Sequence, residues 1–168
     1  DVARFEHMLA QAEQNQDRAG AIAGLEQAVE LYQADLLPSC YDDWIAPERE
    51  RLRERFLDAL RRLSDGWEQE RNAAQAIRCA TRLLRSDPLH EETYRRLMRL
   101  HLGNGDRAAA LGIYHTCVST LQRELGVAPS PPTQAAYSRL MQMEVASDPP
   151  PARSGKRERL IGRHEEWQ

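Results

Sequence analysis

Apolar residues along this chain recur every three to four positions, and almost no stretch alternates apolar with polar residues. That period belongs to helices that bury one face, so the pattern predicts helices and no sheet. Phe5, Met8, Leu9 and Ala12 share one face of a first helix from Val2 to about Gln14, and Ile22, Leu25, Ala28, Val29 and Tyr32 mark a second that begins after Asp17. Following a loop from Gln33 to Asp43, Leu52, Phe56, Leu60, Leu63 and Trp67 form the apolar stripe of a long helix running from about Trp44 to Glu70. Pro47 falls in its first turn, where the missing N–H costs nothing. The charges on the opposite face alternate in sign, as on a solvated face laced with ion pairs.

Glycine, proline and short polar residues divide the rest. Asn72 caps a fourth helix that ends at Asp87-Pro88, Glu91 opens a fifth that stops at Gly103-Asn104-Gly105, and Asp106 caps a sixth that runs to Leu125-Gly126. A short seventh helix is expected from Ser130, with Pro131 and Pro132 in its first turn. Residues 144–159 are too poor in apolar side chains to fold and read as a flexible linker.

Aligned on Asp17, Asn72 and Asp106, the three capped helices fall into register. Each cap is followed by small residues and then by Ala plus an aliphatic: Ala21-Ile22, Ala76-Ile77 and Ala110-Leu111. From Ala76 to Ala110 the offset is 34 residues, the period of the tetratricopeptide helix hairpin. From Ala21 to Ala76 it is 55, the excess being the 33–43 loop and the longer third helix. Small residues at equivalent points let two helices cross closely, and each hairpin leaves an apolar face for the next to cover. The fold expected is therefore all-α: a tetratricopeptide-like right-handed stack of three helix hairpins plus a C-terminal capping helix.

A length of 168 residues suits one domain with a tail, and no apolar run approaches the roughly 20 residues needed to span a bilayer. The start, Asp1 to Phe5, carries no export signal, so a cytoplasmic location and no membrane contact are expected. Cys40, Cys79 and Cys117 are odd in number and widely spaced, as free thiols in a reducing compartment are. The net charge of −3 gives no long-range attraction to phosphate backbones, so this segment by itself is not expected to grip nucleic acid.

One run is more specific than the repeat: Asp87-Pro88-Leu89-His90-Glu91-Glu92-Thr93-Tyr94-Arg95-Arg96-Leu97-Met98-Arg99-Leu100-His101, then Gly105 to Leu111 and Tyr114. Together with Arg123-Glu124-Leu125-Gly126-Val127, Pro129-Ser130-Pro131, Asp35-Leu36-Leu37-Pro38 and Trp44 with Glu48 to Leu52, it resembles the bacterial transcriptional activator domain of the Streptomyces antibiotic regulatory proteins and their relatives. The resemblance covers about residues 1–143. Ala34 and Gly112 depart from it, the first where glycine is frequent and the second in mid-helix. Residues 160–168, Leu160-Ile161-Gly162-Arg163-His164-Glu165-Glu166-Trp167 in particular, resemble the opening of the nucleotide-binding NTPase domain of larger members, without its Gly-rich phosphate loop. The resemblance implies a parent protein with a winged-helix DNA-binding domain before this module and an NTPase domain after it. It implies partners that are proteins: the parent's own DNA-binding domain, RNA polymerase or a second copy in a homodimer. Nucleic acid would be contacted only through the missing DNA-binding domain. A generic adaptor that binds peptide segments is the alternative.

No enzyme, catalytic residue, metal site or cofactor is expected. His7, His90, His101, His115 and His164 show no metal-ligand spacing with cysteine or carboxylate, His101 fills a packing slot, and Glu91-Glu92 suit a helix N-terminus better than an acid–base pair. The site expected is a surface. In stacked hairpins the first helix of each pair lines the inner side, which puts Asp58, Arg61, Asp65 and Glu68 of the third helix and Arg95 and Arg99 of the fifth on that groove. Arginine there can hold a carboxylate by its planar fork. Trp44 is either an anchor for the partner or the residue that seals the long helix onto the first hairpin.

Overall fold

A computed structural model gives the chain seven helices, over described residues 2–32 and 45–147, with side chains through Met143. They are α1 (Val2–Gln14), α2 (Arg18–Leu31), α3 (Ile45–Gln69), α4 (Ala73–Ser86), α5 (Glu91–Gly103), α6 (Arg107–Leu125) and α7 (Pro131–Ser147). Among the described residues there is no strand. The pairs α1–α2, α3–α4 and α5–α6 are hairpins, α3 packs on α2, α5 packs on α4, and α7 lies against both α5 and α6. The architecture is all-α and tetratricopeptide-like.

The caps start the second helix of each hairpin in the same way. Asp17 accepts from the Gly20 N–H, Asn72 from Gln75 and Asp106 from Ala109, at 3.1, 3.2 and 2.9 Å. Each satisfies a donor that the first helical turn leaves without an intrahelical partner, worth about 1 kcal/mol. Four residues past two of these caps, Ala76 and Ala110 are wholly buried.

Ala21, their counterpart in the first hairpin, is partly exposed. The tight crossing there falls three residues later, at Gly24, where a Cβ would stand 3.0 Å from the Ala12 Cβ. At Gly66 of α3 an added Cβ would come within 2.9 Å of Ile22 Cγ1, which fixes how closely α2 and α3 approach. By contrast, Gly112 has open space around it, so its mid-helix position has no packing reason.

The largest core unites the first four helices through Phe5, Leu9, Leu25, Phe56, Leu60, Leu63 and Leu83. Burying each such side chain contributes about 1.5–3 kcal/mol. Tyr32 stacks on Phe56 at 4.3 Å, and the Arg82 guanidinium covers that ring at 5.1 Å. The same guanidinium donates to the carbonyls of Val29 and Tyr32, satisfying the end of α2. Smaller clusters follow further along: Tyr94 with Cys117 and Leu121, then Met98 with Ala110 and Leu140. Cys79 and Cys117 are free and buried, and burial pushes both thiols up to about 11, so neither is a ready nucleophile near neutral pH. Cys40 lies outside the described residues.

Two local features differ from the sequence reading. The seventh helix is not short: it spans 17 residues and passes the expected boundary at 143, because nothing breaks it before Asp148-Pro149. His101 does not belong to the core. It is partly buried at the end of α5, with Nδ1 3.9 Å from Asp106 Oδ2.

Candidate functional site

The first helices of the hairpins are joined by arginine–carboxylate pairs. From α3, Arg51 and Arg55 reach Glu6 of α1 at 2.7 and 3.0 Å, and Arg62 reaches Glu13 at 3.1 Å. From α5, Arg96 pairs with Asp65 and, at 3.0 Å, with Glu68 of α3, while Arg99 meets Glu68 at 2.7 Å. The pairs open to water each contribute about 0–1 kcal/mol, so they align neighbouring hairpins more than they stabilise them, while Arg96 and Glu68 are mostly buried.

Of the residues expected on the inner groove, Asp65, Glu68 and Arg99 therefore come together, Glu68 pairing directly with Arg99 and being joined to Asp65 by Arg96, which the sequence reading did not single out. Asp58 lies apart, exposed in a shallow groove of about 260 Å³ between α1 and α3. Arg61 has no hydrogen bond or ion pair among the described residues. Arg95 turns towards α7 and donates to Thr133 Oγ1 at 3.0 Å. Trp44 lies outside the described residues.

The groove with both charge and an apolar floor is the one between α5 and α7, with a volume of about 450 Å³. Leu102, Pro132, Ala135 and Ala136 supply the accessible apolar surface, over the buried Met98 and Leu140, and Arg95, Arg99 and Arg139 supply the charge. No carboxylate lines it.

Its α7 wall is held by polar contacts. Glu91, in the first turn of α5, accepts from the Ser130 N–H at 2.9 Å and from Ser130 Oγ at 2.7 Å, so it serves the N-terminus of α7 as well as that of its own helix. Burial pushes the Glu91 carboxyl up, but hydrogen bonds from Thr133 and Ser130 and the charge of Arg95 outweigh this and leave it below the usual range. Thr133, fully buried, and Ser130 hold the start of the helix. Near the other end Arg107 donates to the Leu140 carbonyl at 3.1 Å, and Tyr137 stacks on Tyr114 at 4.1 Å. Arg139 was missed from sequence because its helix read only as a short cap. The visible signal was an arginine on the last helix that could face Arg95 and Arg99.

Among the described residues no group of three or more His, Cys, Asp or Glu side chains is placed to hold a metal, and no helix is long and apolar enough to cross a membrane.

Comparison with known proteins bears on the family and the fold. The transcriptional regulatory protein MoaR1 is 36% identical to this chain over 67 residues in Mycobacterium tuberculosis and 34% identical in Mycobacterium bovis. These matches cover 40% of this chain and only 22% of either relative. Among solved structures, Mycobacterium tuberculosis EmbR, in complex with a low-affinity phosphopeptide, superposes with a TM-score of 0.63 at 20% identity, over 84% of this chain and 37% of EmbR. The C-terminal tetratricopeptide-repeat domain of a putative FK506-binding protein from Plasmodium falciparum gives 0.56 at 11% identity, over 86% of this chain and 91% of that one. At these identities the two structures show the shared fold alone. The family described as the bacterial transcriptional activator domain matches residues 1–141, and the chain belongs to that family.

Proposed function

We propose that this chain is the protein-interaction and regulatory module of a multidomain DNA-binding transcription activator. The observation that carries the reading is the family match along residues 1–141. MoaR1, named as a transcriptional regulatory protein, supports it, as does a fold whose product is an extended surface. In this reading α1 to α7 are the module, the residues after α7 up to 159 a linker and 160–168 the beginning of an NTPase domain. Its partners are the parent's DNA-binding domain, RNA polymerase or a second copy, and DNA is touched only by the DNA-binding domain. The work is done by docking, without catalysis or cofactor, in the cytoplasm.

The test is a promoter reporter driven by the parent regulator with and without residues 2–143. Deletion is expected to abolish activation while the DNA-binding domain still occupies its operator. Undiminished activation by the deleted protein would remove the proposal.

A further inference from the structure

We propose that the α5–α7 groove takes an acidic amphipathic segment of a partner protein, with its apolar side chains against Leu102, Pro132, Ala135 and Ala136 and its carboxylates against Arg95, Arg99 and Arg139. The inference rests on the regulatory-module reading and names the kind of partner that module accepts.

Charge makes the first argument. The chain carries a net −3, yet the residues lining this groove include three arginines and no carboxylate; just outside it Glu92 pairs with Arg95 at 3.8 Å and Glu68 with Arg99 at 2.7 Å, which leaves Arg139 as the arginine with no such partner among the described residues. That local inversion of sign selects for an acidic occupant and speeds its encounter. Arg139 is exposed and has no hydrogen bond or ion pair among the described residues. Arg99 spends one Nη on Glu68 and keeps 65% of its side chain exposed, so donors of its five-N–H fork remain for a second carboxylate. Arg95 and Arg99, four positions apart on α5, both line the groove, Arg95 reaching Thr133 of α7 and Arg99 reaching Glu68 of α3.

The floor makes the second argument. Leu102 with Pro132, Ala135 and Ala136 between two helices forms an apolar strip on which the apolar face of an amphipathic segment settles. A nucleic-acid strand would instead call for aromatic platforms and an excess of positive charge over the whole chain. The shape is set by α7, which supplies one wall and is fixed through Glu91, Arg95 and Arg107. Because Arg95 both pins Thr133 and borders the groove, an occupant meets a guanidinium already held in place, which lowers the ordering cost of binding.

Fluorescence anisotropy on the full chain tests this with a labelled synthetic peptide of roughly 15 residues, leucines at helical spacing and glutamates elsewhere, against the same peptide with glutamine for every glutamate. The glutamate peptide is expected to bind at least about tenfold more tightly, and the difference is expected to shrink as salt rises. Arg139→Glu, which breaks no contact within the described residues, and Ala135→Trp, which fills the groove without altering charge, should each weaken binding by about tenfold with an unchanged circular dichroism spectrum and Tm. No saturable binding, equal affinity for the two peptides, displacement by duplex DNA, or indifference to both substitutions overturns the proposal. Binding of the parent's DNA-binding domain, measured on the same proteins, separates the two readings. If that complex persists while the peptide fails, only the groove assignment falls; if the peptide binds and deletion of the module leaves activation intact, only the regulatory reading falls.

Discussion

The turn joining α3 to α4 and the turn joining α5 to α6 stand 34 residues apart and have the same hydrogen-bond pattern, yet they place different residues at the same strained point. In the first, the Asn72 N–H reaches back to the Trp67 carbonyl and the Arg71 N–H to Glu68; in the second, Asp106 reaches His101 and Gly105 reaches Leu102, all four at 2.9–3.0 Å. This 6→1 and 5→2 pairing closes a helix through one left-handed residue. That residue is Gly105 in the later turn, at φ 77°, and Arg71 in the earlier one, at φ 56°. A side chain in that region costs about 1–2 kcal/mol. The chain tolerates this because the surroundings determine the turn: a capping side chain on one side and a wholly buried alanine, Ala76 or Ala110, four residues beyond each cap. The packing of the hairpin fixes the turn, and the turn residue accommodates to it.

The comparison breaks most readily at the alanines. Ala76→Leu and Ala110→Leu should each destabilise the fold by about 1–3 kcal/mol, since neither helix crossing has room for a longer side chain. Urea denaturation midpoints check this, and a negligible cost at either site would mean that the two crossings are not equivalent. The next largest effect is at the turns themselves. Gly105→Ala should cost about 1 kcal/mol, whereas Arg71→Gly should gain up to about 1 kcal/mol by removing the left-handed penalty. Opposite signs in paired thermal melts are the expected result. A milder contrast comes from Gly112, which meets nothing that a methyl group would disturb. Gly112→Ala should stabilise by about 0.8–1 kcal/mol, read from the shift in Tm.

The smallest and most local effect belongs to Glu91. Its carboxyl lies below the unfolded value of about 4.3, so its hold on Ser130 is complete above that pH and is lost as the pH falls through the lower folded value. The Ser130 amide resonance should report the titration, and Glu91→Gln should abolish its pH dependence in the acid range. An unchanged titration in the variant would assign it to another group.

Much of the fold is legible in the sequence because its causes are local or periodic. Asp17, Asn72 and Asp106 announce helix starts, Gly105 and Gly126 announce ends, and the 34-residue spacing gives the stacking unit. What stays hidden depends on tertiary context. Nothing about Arg71 signals a positive φ, and the crossing point in the first hairpin moves from Ala21 to Gly24 because only the contact with Ala12 decides it. Mid-helix glycines were a usable clue, but Gly24 and Gly66 mark close contacts where Gly112 marks none. For the site, the rule that first helices line the inner face names Asp65, Glu68, Arg95 and Arg99, of which Arg95 and Arg99 line the α5–α7 groove. It cannot show that two of these are carboxylates already engaged by Arg96 and Arg99, nor that the charge left over faces α7. Reading α7 as a short cap removed Arg139 from consideration.

The most direct measurement is a heteronuclear NMR titration of the labelled full chain with the glutamate-bearing amphipathic peptide. Shifts concentrated on Arg95, Arg99 and Leu102 of α5 and on Ala135, Ala136 and Arg139 of α7 are the predicted outcome. Shifts centred instead on α2, α4 and α6, with α5 and α7 unmoved, would contradict the account.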